Sequence, residues 1–371
     1  MSEDWDILMQ EAETGTWFQS EEAWRFYCAC TEWMTPFHTE VRRGKRAVGM
    51  VTGYISKEKR AWKQRLSCRA IIFGGPLLAQ DATIEEVKRL LRETEAEIQR
   101  LSEGRVIYIE TRNFVDLSPW REAFEACGWE YRRHYDIHVD CRDGEAMWGR
   151  IHESKRRAIT HAGVEVERSR GVGDVDQWYS LLEELYKKKV HRPLWPKEFF
   201  EKAIEMGVGE LLVVYANKVR GVCEQSSRCM QAEPAVNTLE KYTQQRIHSN
   251  AYTAQHPQRS IHSDSIHSEA FTAQQEVGKV IGGMFVVKDE RRVYEWYVVG
   301  PVPATYAGLR YAVETGRETF DFMGAGEPGK PYGVRDFKMQ FGGELKEPGR
   351  WIHICKKGYY RLGEIVYGIL R

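Results

Sequence analysis

The sequence feature that most constrains the fold is a run of glycines and prolines after a short strand pattern. In the stretch 320–322, two phenylalanines alternate with Asp321, which is the period of a strand with one buried face. Residues 324–329 then spell G-x-G-x-x-G, as in a dinucleotide-binding turn. That turn needs a helix beginning at its third glycine, and Pro328 and Pro331 disfavour one there. We therefore predict an irregular ligand loop rather than a nucleotide fingerprint.

An aromatic and basic segment follows this loop. It presents the cations Lys330, Arg335 and Lys338, and it contains the aromatic residues Tyr332 and Phe337. Cations on a tight loop that is held by a rigid strand are well placed to bind an anionic group. We predict that these five residues contact the substrate.

Composition excludes several classes of protein. The 54 basic and 54 acidic residues cancel, so no overall positive field points to duplex DNA. The eight cysteines are scattered without a C-x-x-C pair, so we expect neither a disulfide framework nor a metal site, and we expect a reducing cytoplasm. The first residues lack a signal-peptide pattern, and no apolar run approaches the length of a membrane span. A membrane-attached substrate would be met at the membrane surface.

Helix and strand patterns alternate along most of the chain and predict an α/β protein with mixed strands. The clearest helix covers 81–103, and the buried strand after it ends near Glu110. We predict a first unit over 1–144 and a second over 145–349. The stretch 222–277 lacks Trp, is rich in Gln, Ser, Thr and His, and is predicted to be an insertion between two adjacent strands of one sheet.

The stretch "FDFMGAGEPGKPYGVRDFKMQFGG" resembles the motif of the FemABX family in which a strand, a glycine loop and Phe-Lys-x-x-Phe-Gly follow one another. Further similar pieces, in family order, are "TWFQSEEAW", "GGPLL", "HESKRRAITHAGVEVE", "PLWPKEFFEKA" and "GKVIGGMFVV". FemABX proteins are aminoacyltransferases that build peptidoglycan cross-bridges, and they belong with the GNAT-like acyltransferases. The resemblance implies two tandem GNAT-like domains with a cleft between them, and a segment at about 350–371 that packs back on the first domain.

The resemblance also implies a reaction and a set of site residues. The expected reaction is direct attack of an amine on an activated acyl group, since no nucleophilic serine or cysteine motif is present. Phe337 and Lys338 look like the pair that contacts a UDP- or lipid-linked muropeptide, with aminoacyl-tRNA or acyl-CoA as donor and no bound cofactor. Glu110 falls where the family often has an aspartate near the acceptor amine, although a surface ion pair with Arg112 is the simpler explanation. Lys63 either lines the cleft or lies on a solvated strand.

Two departures from related patterns leave alternatives open. Where family members carry Arg-x-x-x-Tyr-Tyr in the groove, this chain has Phe199 and Phe200, so one guanidinium and two hydroxyls are absent. We retain both phenylalanines as predicted substrate contacts. The stretch 300–308 lies where GNAT enzymes bind acetyl-CoA but lacks their pattern. The alternatives are a CoA-dependent N-acyltransferase of another small amine and a non-catalytic binding protein.

Overall fold

The computed structural model describes residues 2–12, 15–57, 67–169, 171–216 and 278–369. Its framework is two mixed sheets of seven strands each, which confirms the predicted mixed α/β class. The first sheet contains β1 (Met34–Arg43), β2 (Arg46–Ser56), β3 (Arg69–Phe73), β4 (Leu77–Leu78), β5 (Tyr108–Arg112), β6 (Trp129–Arg132) and β14 (Arg350–Ile354). The second contains β7 (Asp136–Asp140), β8 (Val164–Arg168), β9 (Glu210–Ala216), β10 (Val280–Lys288), β11 (Arg292–Val299), β12 (Thr319–Asp321) and β13 (Glu344–Lys346).

Helices cover the faces of these sheets. They are α1 (Ser2–Glu11), α2 (Glu21–Ala29), α3 (Ile84–Leu101), α4 (Arg121–Ala126), α5 (Gly144–Arg150), α6 (Glu153–Thr160), α7 (Val172–Leu185), α8 (Lys197–Glu205), α9 (Val302–Glu314), α10 (Gly333–Met339) and α11 (Lys357–Ile369). Within the described residues, no helix combines the length and the apolar character that crossing a bilayer would need.

Strand order differs between the two sheets. The first runs β1-β2-β3-β5-β14-β6, with β4 paired to β2, and the second runs β13-β7-β12-β11-β10-β9-β8. β9 and β10 pair antiparallel, as predicted for the strands on either side of the insertion. The insertion itself, 222–277, lies outside the described residues.

The best-predicted element is α3. Its bounds fall inside the predicted range of 81–103. Thr83 accepts a hydrogen bond from the backbone of Glu86, and the Glu86 side chain accepts one from the backbone of Thr83. This capping box satisfies two backbone donors, while Leu90 and Leu91 are buried against the first sheet.

Two predicted elements are each divided in the structure. The strand predicted over 129–140 is β6 followed by β7, and the two strands belong to different sheets. Asp136–Asp140 therefore pairs in the second sheet, although we expected it in the first unit. The helix predicted from about 145 to 163 is divided into α5 and α6. Between them, His152 caps α6, because its Nδ1 accepts a hydrogen bond from Ser154 N.

Aromatic side chains from both sheets form one continuous core. Phe18 stacks on Phe73 and Phe114, with ring centroids 4.7 and 5.3 Å apart, and it contacts Tyr294 and Trp296 edge-on. The first two partners come from the side of the first sheet and the last two lie on β11. The two sheets are thus joined through buried aromatic rings, whose contact area contributes strongly to core stability.

The chain crosses between the sheets twice, and the two crossings lie side by side. The first crossing joins β6 to β7, and the second joins β13 to β14. Gly349 N donates to His134 O at 3.2 Å, and Arg133 forms a bidentate pair with Glu347 at 2.7 Å. Arg350–Ile354 then pairs with β5 and β6 in the first sheet. The division into two domains at 144/145 stays a prediction, but the change of sheet itself occurs between Arg132 and Asp136.

Candidate active site

The predicted ligand loop is anchored to the first crossing. Gly324 N donates to Asp136 Oδ1 at 2.8 Å, Ala325 N donates to Tyr135 O at 2.7 Å, and Tyr135 N donates to Gly326 O at 2.7 Å. Gly324 and Gly326 have φ of +110° and +79°, a backbone conformation that favours glycine. No helix begins at the third glycine of the G-x-G-x-x-G pattern, because α10 starts only after Pro331. The loop is therefore a rigid turn at the junction of the two sheets.

Lys338 points inward from α10. Its Nζ lies 3.0 Å from Glu295 Oε1, 2.6 Å from Phe322 O and 3.2 Å from Gly324 O. The residue is only 9% exposed. An ammonium group has three hydrogens, and these three acceptors use them. A phosphate can therefore reach Lys338 only by replacing one of these acceptors.

The other predicted residues of the loop divide into two groups. Lys330 is exposed and pairs with Glu327, and the Arg335 guanidinium donates to Glu327 O at 3.1 Å and to Lys330 O at 2.8 Å. Tyr332 is exposed beside them. Phe337 is instead buried, with Lys155 Nζ 4.3 Å from its ring centroid. Arg335 thus holds the loop closed, while Lys330 and Tyr332 offer an accessible surface.

Two further predicted contacts lie away from the loop. Phe199 and Phe200 are fully buried in the aromatic core, where Phe199 stacks on Trp195 with centroids 5.1 Å apart and Phe200 meets Trp178 edge-on at 5.2 Å. Because neither ring has surface to offer a ligand, we correct both assignments from substrate contact to core. Lys63 lies outside the described residues.

Glu110 is buried among arginines rather than exposed beside one. By strand alternation, Arg69, Glu110, Arg112 and Arg350 lie on one face of the first sheet. Glu110 Oε1 is 2.5 Å from Arg350 Nη1 and 3.5 Å from Arg112 Nε. Burial raises the pKa of the Glu110 carboxyl, but the charges of Arg112, Arg350 and Arg69 outweigh burial and lower it to about 2. So low a pKa makes Glu110 a weak base, which argues against its predicted catalytic role; the carboxylate is paired with the arginines instead.

This basic cluster, Arg69, Arg112 and Arg350, carries more positive charge than Glu110 neutralises. Three guanidinium groups face one carboxylate, which leaves a surplus of two positive charges. Among the described residues, Arg69 Nε and Arg112 Nε are buried without a hydrogen-bond partner. Arg350 Nη2 lies 2.9 Å from His134 Nε2. Burial, followed by the charge of Arg350, lowers the pKa of His134 to about 4, so the ring is neutral at pH 7 and can accept that hydrogen bond.

An acidic cluster, Asp136, His138 and Asp321, lies on the second sheet. Asp136 and His138 share one face of β7. Asp321 lies on the neighbouring strand β12, directly opposite His138. His138 Nε2 is 3.1 Å from Asp321 Oδ2 and 3.7 Å from Asp136 Oδ2. Burial, and then the charge of Asp136, raises the pKa of Asp321 to about 6. Burial also raises the pKa of Glu295, whose Oε2 has no hydrogen-bond partner within the described structure.

Sequence reasoning offered the ion pair of Glu110 with Arg112, which the structure contains, but it missed the rest of the basic cluster and the whole acidic cluster. Arg350 contacts Glu110 across 240 positions of the chain, and only strand pairing shows that they meet. The acidic cluster left one signal in the sequence. Asp136 and His138 alternate with Ile137 and Val139, which are fully buried. Charged side chains on the second face of a buried strand are unusual, and they indicate a functional site.

Solved structures share this fold of two mixed α/β sheets over almost the whole chain, and they define the structural class of the protein. FemX has this fold, with a TM-score of 0.63, 14% identity and 98% of each chain covered. The C-terminal domain of a putative lysylphosphatidylglycerol synthetase from Agrobacterium fabrum matches with a TM-score of 0.51 and 10% identity, covering 98% of this chain and 95% of that one. No protein-family model and no curated protein sequence matches the chain. The predicted resemblance to FemABX proteins is thus confirmed for the fold.

Proposed function

We propose that this protein is an acyltransferase that moves an acyl or aminoacyl group from an activated donor to an amine. The observation that carries this proposal is the basic cluster at the junction of the two sheets, where two buried arginine nitrogens, Arg69 Nε and Arg112 Nε, make no hydrogen bond within the described residues. Activated acyl donors and envelope precursors both carry phosphates, and guanidinium groups are the side chains best suited to bind them. The FemX fold and the FemABX-like loop support the same reaction.

The reaction we propose is direct attack. The neutral amine attacks the donor carbonyl, a C–N bond forms, and the ester or thioester bond breaks. The proton of the amine passes to a carboxylate and from there to the leaving oxygen or sulfur. For this role we propose Glu295 in place of Glu110: Lys338 holds its Oε1 at 3.0 Å, while its Oε2 has no hydrogen-bond partner in the described structure.

Three of the six cysteines in the described residues support a path without an acyl-enzyme. Burial raises the pKa of Cys30, Cys141 and Cys355 to about 12 in each case. At neutral pH these groups are almost entirely protonated, and the protonated thiol is a poor nucleophile. Nucleophilic catalysis by these three cysteines is therefore not part of the proposal.

For the substrates, we propose an amine of a UDP- or lipid-linked muropeptide as acceptor and aminoacyl-tRNA as donor, in the cytoplasm. The neighbour from Agrobacterium fabrum is a putative lysylphosphatidylglycerol synthetase, which supports including a lipid-linked acceptor in the test. The second candidate donor is acyl-CoA. The two donors are told apart by calorimetry, because tight binding of acetyl-CoA by the purified protein favours the second.

The test combines each donor with each acceptor and detects the amide by its mass. Arg112→Gln is the informative variant, because the Arg112 side chain is partly exposed and faces the junction. Losing one charge-assisted phosphate contact costs about 1.5–3 kcal/mol, so we expect substrate affinity to fall roughly 10- to 100-fold. The control is Arg25→Gln, a surface residue paired with Glu21, which should leave activity unchanged. A folded protein that forms no amide from any pair of substrates would refute the proposal.

A further inference from the structure

The acidic cluster has the geometry of a metal site. Its three members, Asp136, His138 and Asp321, each offer one ligand atom, and these atoms all lie within 4.8 Å of one another. Zn²⁺ binds carboxylate oxygen and imidazole nitrogen at about 2.0–2.2 Å, which places neighbouring ligands of a tetrahedral site roughly 3.3 Å apart. The distances from His138 Nε2 to Asp321 Oδ2 and to Asp136 Oδ2, 3.1 and 3.7 Å, lie on either side of that separation.

Backbone donors orient both aspartates. Asp136 Oδ1 accepts from Ile137 N and from Gly324 N, each at 2.8 Å. Asp321 Oδ1 accepts from Met323 N at 2.7 Å. In each carboxylate one oxygen is therefore fixed, and the other, Oδ2, is turned toward His138. Hydrogen bonds that position ligands in this way are a regular feature of metal sites.

The atoms that face each other are buried and close together. His138 Nε2 and Asp321 Oδ2 lie 3.1 Å apart, which makes an ion pair when the ring is protonated, but neither atom has a hydrogen bond of good geometry in the described structure. Asp321 is completely buried. A completely buried carboxylate is costly without a positive charge beside it, and either a protonated His138 or a bound cation supplies that charge. Titration with a metal ion tells these two cases apart.

We propose that Asp136, His138 and Asp321 bind one divalent first-row transition cation. The ligand set, two carboxylate oxygens and one imidazole nitrogen, suits Zn²⁺, Mn²⁺ or Co²⁺ better than the soft cations that prefer thiolate. A bound cation also balances two carboxylates in a place where water does not reach them. The site is independent of the proposed acyl transfer, because its evidence is the geometry of these three residues alone.

The experiment is a Zn²⁺ titration of the full chain, purified without a polyhistidine tag and freed of metal by a chelator, in competition with a chromogenic chelator. The deciding comparison is His138→Gln against His161→Gln, since His161 is an exposed histidine. Changes next to a metal ligand cost 10- to 100-fold in affinity, so loss of the ligand itself should cost more than about 100-fold. The sequence has four further histidines within 248–267, which can bind additional Zn²⁺. The test therefore compares the Zn²⁺ affinities of the variants and does not depend on the number of ions bound per chain.

A second pair of variants keeps the test independent of any folding defect in the first. Asp321→Asn should abolish the tight phase of Zn²⁺ binding, and Asp140→Asn, which changes an exposed aspartate at the end of β7, should keep it. Co²⁺ gives an additional readout, because its visible absorption reports coordination by oxygen and nitrogen and should vanish in both ligand variants. If Zn²⁺ does not bind to the unmodified chain, or binds equally well to His138→Gln and Asp321→Asn that fold normally, the proposed site is wrong.

Discussion

Replacing Glu110 with glutamine tests the electrostatic account of the junction. The carboxylate is buried, and the three arginines lower its pKa from the ordinary 4.5 to about 2. That difference corresponds to about 3 kcal/mol of stability at pH 7. Because the pKa is lower in the folded state, this stability is fully present above about pH 4.5 and is lost as the pH falls toward 2. Glu110→Gln should therefore lower the free energy of unfolding by about 3 kcal/mol at pH 7.

The assay is urea denaturation followed by tryptophan fluorescence at pH 7 and at pH 3.5. By proton linkage, the difference between the two proteins should shrink to about 2 kcal/mol at pH 3.5. Glu130→Gln is the matched control, because Glu130 is exposed in a surface pair with Arg132 and should change stability by less than about 1 kcal/mol. A difference at pH 7 that is no larger than that of the control would contradict the charge balance described here.

The same substitution has an opposite effect on ligand binding. Without Glu110, three guanidinium groups remain on one sheet face without their carboxylate. Inorganic diphosphate should then bind more tightly to Glu110→Gln than to the unmodified protein, and it should recover part of the lost stability, since a ligand that binds only the folded state stabilises it. Equal diphosphate affinity in both proteins would show that the surplus charge is not accessible to a ligand.

Three further substitutions test individual contacts, each by urea denaturation at pH 7. Lys338→Met leaves Glu295 buried without its cation and should cost about 3–5 kcal/mol, and combining it with Glu295→Gln should recover part of the loss; a double variant less stable than Lys338→Met would argue against the pair. Gly342→Ala should cost about 2 kcal/mol or more, because its φ is +79° and a Cβ would lie 2.7 Å from the carbonyl oxygen of Arg150; a neutral effect would show that the backbone there can move. Thr83→Ala should cost about 1 kcal/mol by removing the cap of α3, and no change would mean that water replaces the cap.

The fold could be predicted from the sequence where local signals are strong. The capped, amphipathic pattern of α3 and the loop geometry after Asp321 follow from propensity and from glycine and proline chemistry. The division between β6 and β7 could not be read in this way, because 129–140 continues a single strand pattern across Arg133–Tyr135. Which sheet a strand joins depends on long-range pairing, and alternation along one strand carries no information about its partner.

The site was harder to predict for a related reason. Motif reasoning located the loop and Lys338, but it gave no indication that Glu295, far away in the sequence, neutralises that lysine. It also treated Phe199 and Phe200 as groove residues, whereas their helix presents them to an aromatic core. Burial decides whether a charged or aromatic side chain is available to a ligand, and burial depends on packing between elements that the sequence does not show to be neighbours.

The position of β14 between β5 and β6 has a consequence for synthesis of the protein. Arg350 reaches Glu110 across 240 positions, so a nascent chain that has emerged only as far as β6 lacks the strand that joins β5 to β6. Both strands then expose unpaired edges, and Glu110 lacks one of its arginines, while the ribosome adds more than two hundred further residues. Exposed edges of this kind favour association with other chains. We therefore expect ribosome-bound intermediates of this protein to be protected by chaperones until residue 354 has emerged.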